Sequence, residues 1–94
     1  MSLPPLFVLI GEARHGVASA APVIARALGV ARVLDARTCA LHEITEQREP
    51  ALLVMEPLNP YYWSMPDHAV LLSVRNPAAL DALMRGLAER TVDA

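Results

Sequence analysis

The sequence predicts a small α/β domain, β-α-β-α-β-β-α, with a four-stranded mixed sheet flanked by three helices. Three observations carry this. Residues 6–10 (LFVLI) and Ala51–Met55 (ALLVM) are apolar at every position, and residues 69–74 (AVLLSV) nearly so, as short strands covered on both faces must be. Helix punctuation separates most of them: Gly29 closes one apolar-periodic stretch, and Asn76-Pro77 opens another, an N-cap with proline at the first helical position. Between the third and fourth strands no helical pattern exists, because residues 56–67 carry Pro57, Pro60 and Pro66. Those strands are therefore expected to be antiparallel neighbours joined by a long hairpin loop. The alternative is an all-parallel sheet, for which that loop is barely long enough to cross.

The elements follow in order. Pro4 and Pro5 keep the lead-in extended. The first strand ends in a turn between Gly11 and Gly16. Ser19 is the expected N-cap of the first helix, its hydroxyl accepting from an orphan backbone N–H, which puts Pro22 in the first turn. That helix buries Val23, Ile24, Ala27 and Leu28 and stops at Gly29. Residues 32–36 (RVLDA) form the second strand. Thr38 is the expected cap of a helix over residues 39–48, with Leu41 and Ile44 inward and Glu43, Glu46 and Gln47 outward, ended by Pro50. In the last helix Leu80, Leu83, Met84 and Leu87 recur at i, i+3, i+4 and i+7. Residues 91–94 are expected to fray.

With 94 residues, the chain holds one domain, residues 1–94. It is 54% hydrophobic and 19% charged, which is globular and excludes disorder. So short a chain leaves much apolar surface exposed, so an oligomer such as a homodimer, or a bound partner, is expected. The net charge is −2, with no basic footprint, so nucleic acid is not an expected partner. All basic side chains are Arg, a compositional bias and not a functional signal. The single Cys39 excludes an internal disulfide and a cysteine-cluster metal site. The apolar runs are strand-length, not membrane-spanning, and MSLPP has no leader pattern, so a cytoplasmic protein with no membrane association is expected.

Pattern and spacing over most of the chain resemble a thioredoxin-like domain. The segment IGEARHGVA matches that family's strand-to-helix turn, with Arg14 and Val17 at its two cysteine positions and His15 and Gly16 between them. RVLDA resembles its second strand ending in an acid, here Asp35. EPALLVME resembles its proline before an apolar strand, which would make Glu49–Pro50 a cis bond facing the turn. Neither cysteine position holds sulfur, and thiol–disulfide exchange needs a thiolate there. The resemblance thus implies a redox-inactive, non-catalytic member that binds a protein or an extended peptide segment, like the family's adaptors and assembly chaperones. No cofactor is implied. A second resemblance is to response-regulator receivers: Glu12 and Glu56 end the first and third strands, and Pro60 follows four residues after Glu56. With Glu for the phosphorylatable Asp and no lysine anywhere, that would be a pseudo-receiver regulatory domain.

Two constellations stand out. Glu12, Arg14 and His15 crowd the turn after the most apolar strand, where helix N–H groups and cations could hold an anion or carboxylate. The plainer reading is a polar turn in which Glu12 pairs Arg14. A small transferase or hydrolase using Glu12, His15 and Glu56 is the enzyme alternative. His42 and His68 have no metal-ligand spacing, and Gly11 to Gly16 lacks the lysine of a phosphate loop. The other constellation is Tyr61, Tyr62 and Trp63, three of the four aromatics, in the proline-bounded loop. Such rings are enriched at interface hot spots, and the competing reading is a lid folded onto the core. The expected binding residues are therefore Glu12, Arg14, His15, Gly16, Val17, Glu49, Pro50, Tyr61, Tyr62 and Trp63, with no catalytic or metal-binding group.

Overall fold

The computed structural model describes residues 4–93, with side chains as far as residue 88. Strand β1 (Leu6–Gly11) leads through a 3-10 turn (Ala13–His15) into helix α1 (Val17–Leu28). Strand β2 (Arg32–Asp35), the short helix α2 (Leu41–Thr45) and strand β3 (Ala51–Met55) follow. A second 3-10 turn (Pro60–Ser64), β4 (Val70–Val74) and α3 (Pro77–Asp93) complete it.

The sheet order is β2-β3-β1-β4, and every pair is parallel. The expected mixed sheet is not borne out, and the parallel alternative fits. The stretch from residue 56 to residue 69 reaches the dozen or so residues a parallel crossover needs, and it crosses β1 by packing Tyr61, Met65 and Ala69 on the sheet. All the peptide bonds described are trans, so the expected cis Glu49–Pro50 bond is absent as well.

Chain direction and layer obey one rule. From β1 to β2 the chain steps over β3, with α1 on one face of the sheet. From β2 to β3, and from β3 to β4, it steps back the other way, with α2 and the second 3-10 turn on the opposite face. A reversal of direction with a reversal of face is what crossovers of constant hand require. The result is a doubly wound sheet, although flavodoxin-like sheets place β1, not β3, beside β2.

Two cores follow from the pleat. Leu6, Val8 and Ile10, with Ala51, Leu53 and Met55, point toward α2 and bury Ile44. Leu9, Leu52 and Val74 point the other way, under Val17, Ala21 and Ile24 of α1 and Leu80 and Leu87 of α3. Alternation on fully apolar strands is how a sheet covered on both faces feeds two cores.

Several boundaries differ from expectation for local reasons. Gly16 at φ 82° caps α1, so the helix starts before Ser19 and Pro22 lies inside it. Val23 is then on the exposed side. Thr38 spends its hydroxyl on the Asp35 carbonyl (3.3 Å), so α2 starts only after Ala40, whose N–H donates to Glu43 Oε2 at 2.8 Å. Gln47 lies past the end of α2, half-buried, where Nε2 donates to the carbonyls of Pro5 and Glu49, each at 3.1 Å. At α3 the expected cap holds: Asn76 Oδ1 accepts from the Ala79 N–H at 2.8 Å. That helix is formed through Asp93; Ala94, the last of the residues expected to fray, and residues 1–3 lie outside the described residues.

Candidate functional site

A parallel sheet gathers all its carboxyl ends at one rim. α1 leaves β1 on one face and the chain leaves β3 on the other, so the crevice between these two strands is the switch point where doubly wound folds bind ligands. Here it is closed. The hollow among Gly11, Val17, Asp35, Arg37, Met55 and Glu56 measures about 20 Å³, room for about one water. The cause is Gly11: a Cβ there would lie 2.7 Å from Val17 Cγ1, so its absence lets the start of α1 settle onto β1.

The charges beside the crevice satisfy one another. Arg14 Nε donates to Glu12 Oε2, as the plainer reading of that turn expects. Arg37 donates to Asp35 through Nη2 (3.0 Å), Nε (3.3 Å) and its backbone N–H (2.9 Å). These bonds to the Arg37 side chain and backbone hold the Asp35 carboxyl below the usual aspartate range. The Asp35–Arg37 pair is the part of this rim that the sequence did not reveal. Only its two-residue spacing at a strand end hinted at it.

A more open hollow of about 310 Å³ lies on the other side of β1, against β4. Ile10, Glu12, His15, Pro57, Ser73, Val74 and Arg75 line it. His15 is half-buried, and its Nδ1 is enclosed without a hydrogen-bond partner. The structure thus brings Glu12 and His15 together and leaves Glu56 in the neighbouring crevice. A larger hollow, about 540 Å³, is an apolar groove between α1 and α3 lined by Val23, Ala27, Met84 and Leu87.

The other expected residues are dispersed. Gly16 caps α1, and Val17 is buried in the core beside Leu9. Glu49 and Pro50 are exposed at the amino end of β3, the opposite rim of the sheet from Glu12 and His15. An antiparallel third strand would have been needed to bring them together.

The aromatic cluster is built on a firm base. Asn59 Oδ1 accepts from the Tyr61 N–H (2.9 Å) and caps the 3-10 turn, with Pro60 at its first position. Tyr61 is half-buried on the α2-side core, and its hydroxyl donates to the Cys39 carbonyl at 3.2 Å. Tyr62 and Trp63 then project outward, 39% and 85% exposed, with ring centroids 5.3 Å apart and planes at 89°. That edge-to-face contact fixes one ring against the other. Leu58, two residues before the start of that turn, is 95% exposed, an exposed apolar side chain that the sequence reading missed.

Cys39 is half-buried. Burial, helped by the nearby Glu43 carboxylate, pushes its thiol pKa up, which lowers the reactive thiolate fraction. Iodoacetamide is therefore expected to label the native protein slowly at neutral pH and quickly in denaturant. Fast native labelling would contradict that environment.

Among the described residues no group of three metal-ligating side chains converges, and no helix is long and apolar enough to cross a membrane. Comparisons with protein-family models, curated proteins and solved structures returned no match.

Proposed function

We propose that this domain is a non-catalytic protein-binding module, an adaptor or assembly chaperone, that presents Trp63, Tyr62 and Leu58 to a protein partner or an extended peptide segment. The observation that carries the reading is an indole 85% exposed on a turn held by a proline, an Asn cap and an anchored tyrosine. A large ring left in water is unfavourable unless something covers it. A ring already fixed loses little conformational freedom when it is covered.

The test is Trp63→Ala in the full chain. Thermal stability is expected to stay within about 0.5 kcal/mol of wild type, as for an exposed residue. Partner capture from the source cell is expected to weaken by about 2 kcal/mol, roughly thirtyfold, as for a truncated hot spot. A variant that keeps the wild-type partners and loses stability instead would make the ring part of the core.

The hollow beside His15 favours a second reading, a site for a small anion or carboxylate that serves either the enzyme alternative or a pseudo-receiver. Glu12 and Glu56 at the ends of adjacent parallel strands suit the latter. Inorganic phosphate that raises the melting temperature of wild type, and not of Arg75→Gln, would favour this reading over the first.

A further inference from the structure

The two edges of the sheet differ. β2 is a guarded edge: four residues, with exposed Arg32 at one end and the Asp35–Arg37 ion pair at the other. β4 is unguarded. VLLSV holds no charge and no proline, and it runs in unbroken register along β1 from Val70 to Val74. Val70 is 46% exposed on one face and Leu71 45% exposed on the other. Among the described residues, its main-chain groups make no backbone hydrogen bond beyond the β1 ladder. Natural sheets blunt such edges with lysines, prolines or bulges, and a long apolar edge left bare is a template for another strand.

The residues at the ends of β4 say which strand. Asp67 lies in the turn just before it and Arg75 just after it; both are exposed, and neither forms a salt bridge among the described residues. We infer that β4 is the docking edge for a second copy of this chain, paired antiparallel about a two-fold axis at Leu71. That register sets Val70 against the partner copy's Leu72 and Ser73 against its Ala69. It also turns the acidic turn before each strand, residues 66–69 closed by the Ala69 N–H on the Pro66 carbonyl (3.1 Å), toward the basic end of the other, so that Asp67 approaches Arg75 twice per dimer. Opposite charges facing across strands are favourable and like charges unfavourable. A parallel partner would instead set Asp67 beside Asp67 and Arg75 beside Arg75. The turn over residues 66–69 and the start of α3 at Pro77 bound the strand on either side. The two sheets become one of eight strands, and this edge disappears.

A single strand pair buries less than a standard interface, so the dimer is weak, with dissociation constants on the order of 10–100 µM. The test is sedimentation equilibrium of the full chain at up to about 0.5 mM, with thermal unfolding run on every variant as the folding control. Wild type is expected to approach twice the 10.2 kDa chain mass as concentration rises. Asp67→Arg and Arg75→Asp each turn two attractions into two repulsions, and each is expected to weaken the dimer about tenfold or more. Mixing these two variants restores opposite charges at both positions, so the equimolar mixture is expected to regain the wild-type mass. The double variant is expected to do so alone. Leu71→Lys, a gatekeeper on the exposed edge, is expected to be monomeric and folded. A monomeric wild type at every concentration overturns the inference. So does a dimer that neither charge reversal weakens, and so does a dimer abolished by Trp63→Ala but indifferent to charge, which would assign self-association to the aromatic turn.

Discussion

Ile44→Ala is expected to lower stability by about 2–5 kcal/mol, a large part of the roughly 5–15 kcal/mol that holds a domain folded. Ile44 is fully buried, and it is the one buried residue of α2, a helix of five residues. So short a helix has little stability of its own and is held by what it buries. Its side chain belongs to the same core as Val8, Leu53 and Met55 of the two central strands. Truncation removes the transfer free energy and leaves a cavity that this clamped core closes only in part. At roughly 4–8 °C per kcal/mol for a chain of this size, the melting temperature should fall by on the order of 10–40 °C. Urea unfolding with an unchanged slope would show the loss as stability; a loss under about 1 kcal/mol would mean that α2 is not docked as described.

The second large effect is expected from one added methyl. In Gly11→Ala the new Cβ would meet Val17 Cγ1 at 2.7 Å, and Val74 Cβ and the Val74 carbonyl oxygen each at 3.3 Å. None of these neighbours yields easily. Val17 is buried and β-branched, with few rotamers to spare, and the carbonyl is main chain. Overpacking of this kind costs about 1–3 kcal/mol. The two residues act as a unit, so the cost should shrink in a Val17→Ala background, by a margin that a double-mutant cycle reads directly. Equal costs in both backgrounds would contradict the close approach of α1 to β1, and with it the closed crevice.

The strands were the most legible part of the chain, because five-residue apolar runs such as ALLVM have nowhere to go but a two-sided sheet. The Asn76-Pro77 start of α3 was legible for a similar reason: cap and proline both act within one turn. What decides the sheet's topology is not local. Residues 56–69 show no helical period, so they read as a hairpin loop. Their packing across β1 depends on Tyr61 and Met65 finding the face that Val8 and Ile10 present. The direction of β4 followed from that long-range contact. The parallel pairing of β3 with β1 decided the candidate site, since it holds Pro50 and His15 at opposite rims. The start of α1 was misread because a hydroxyl at Ser19 is a visible cap, whereas Gly16 caps through a backbone conformation that no side chain announces.

Trp63, the only tryptophan, stands in water on a fixed turn. Its intrinsic fluorescence in dilute protein tests that most directly. The expected result is the red-shifted emission of a hydrated indole, open to quenching by acrylamide and nearly unchanged when the protein unfolds. Blue-shifted, quencher-resistant emission from dilute native protein, moving to the red on unfolding, would put the ring in the core and contradict it.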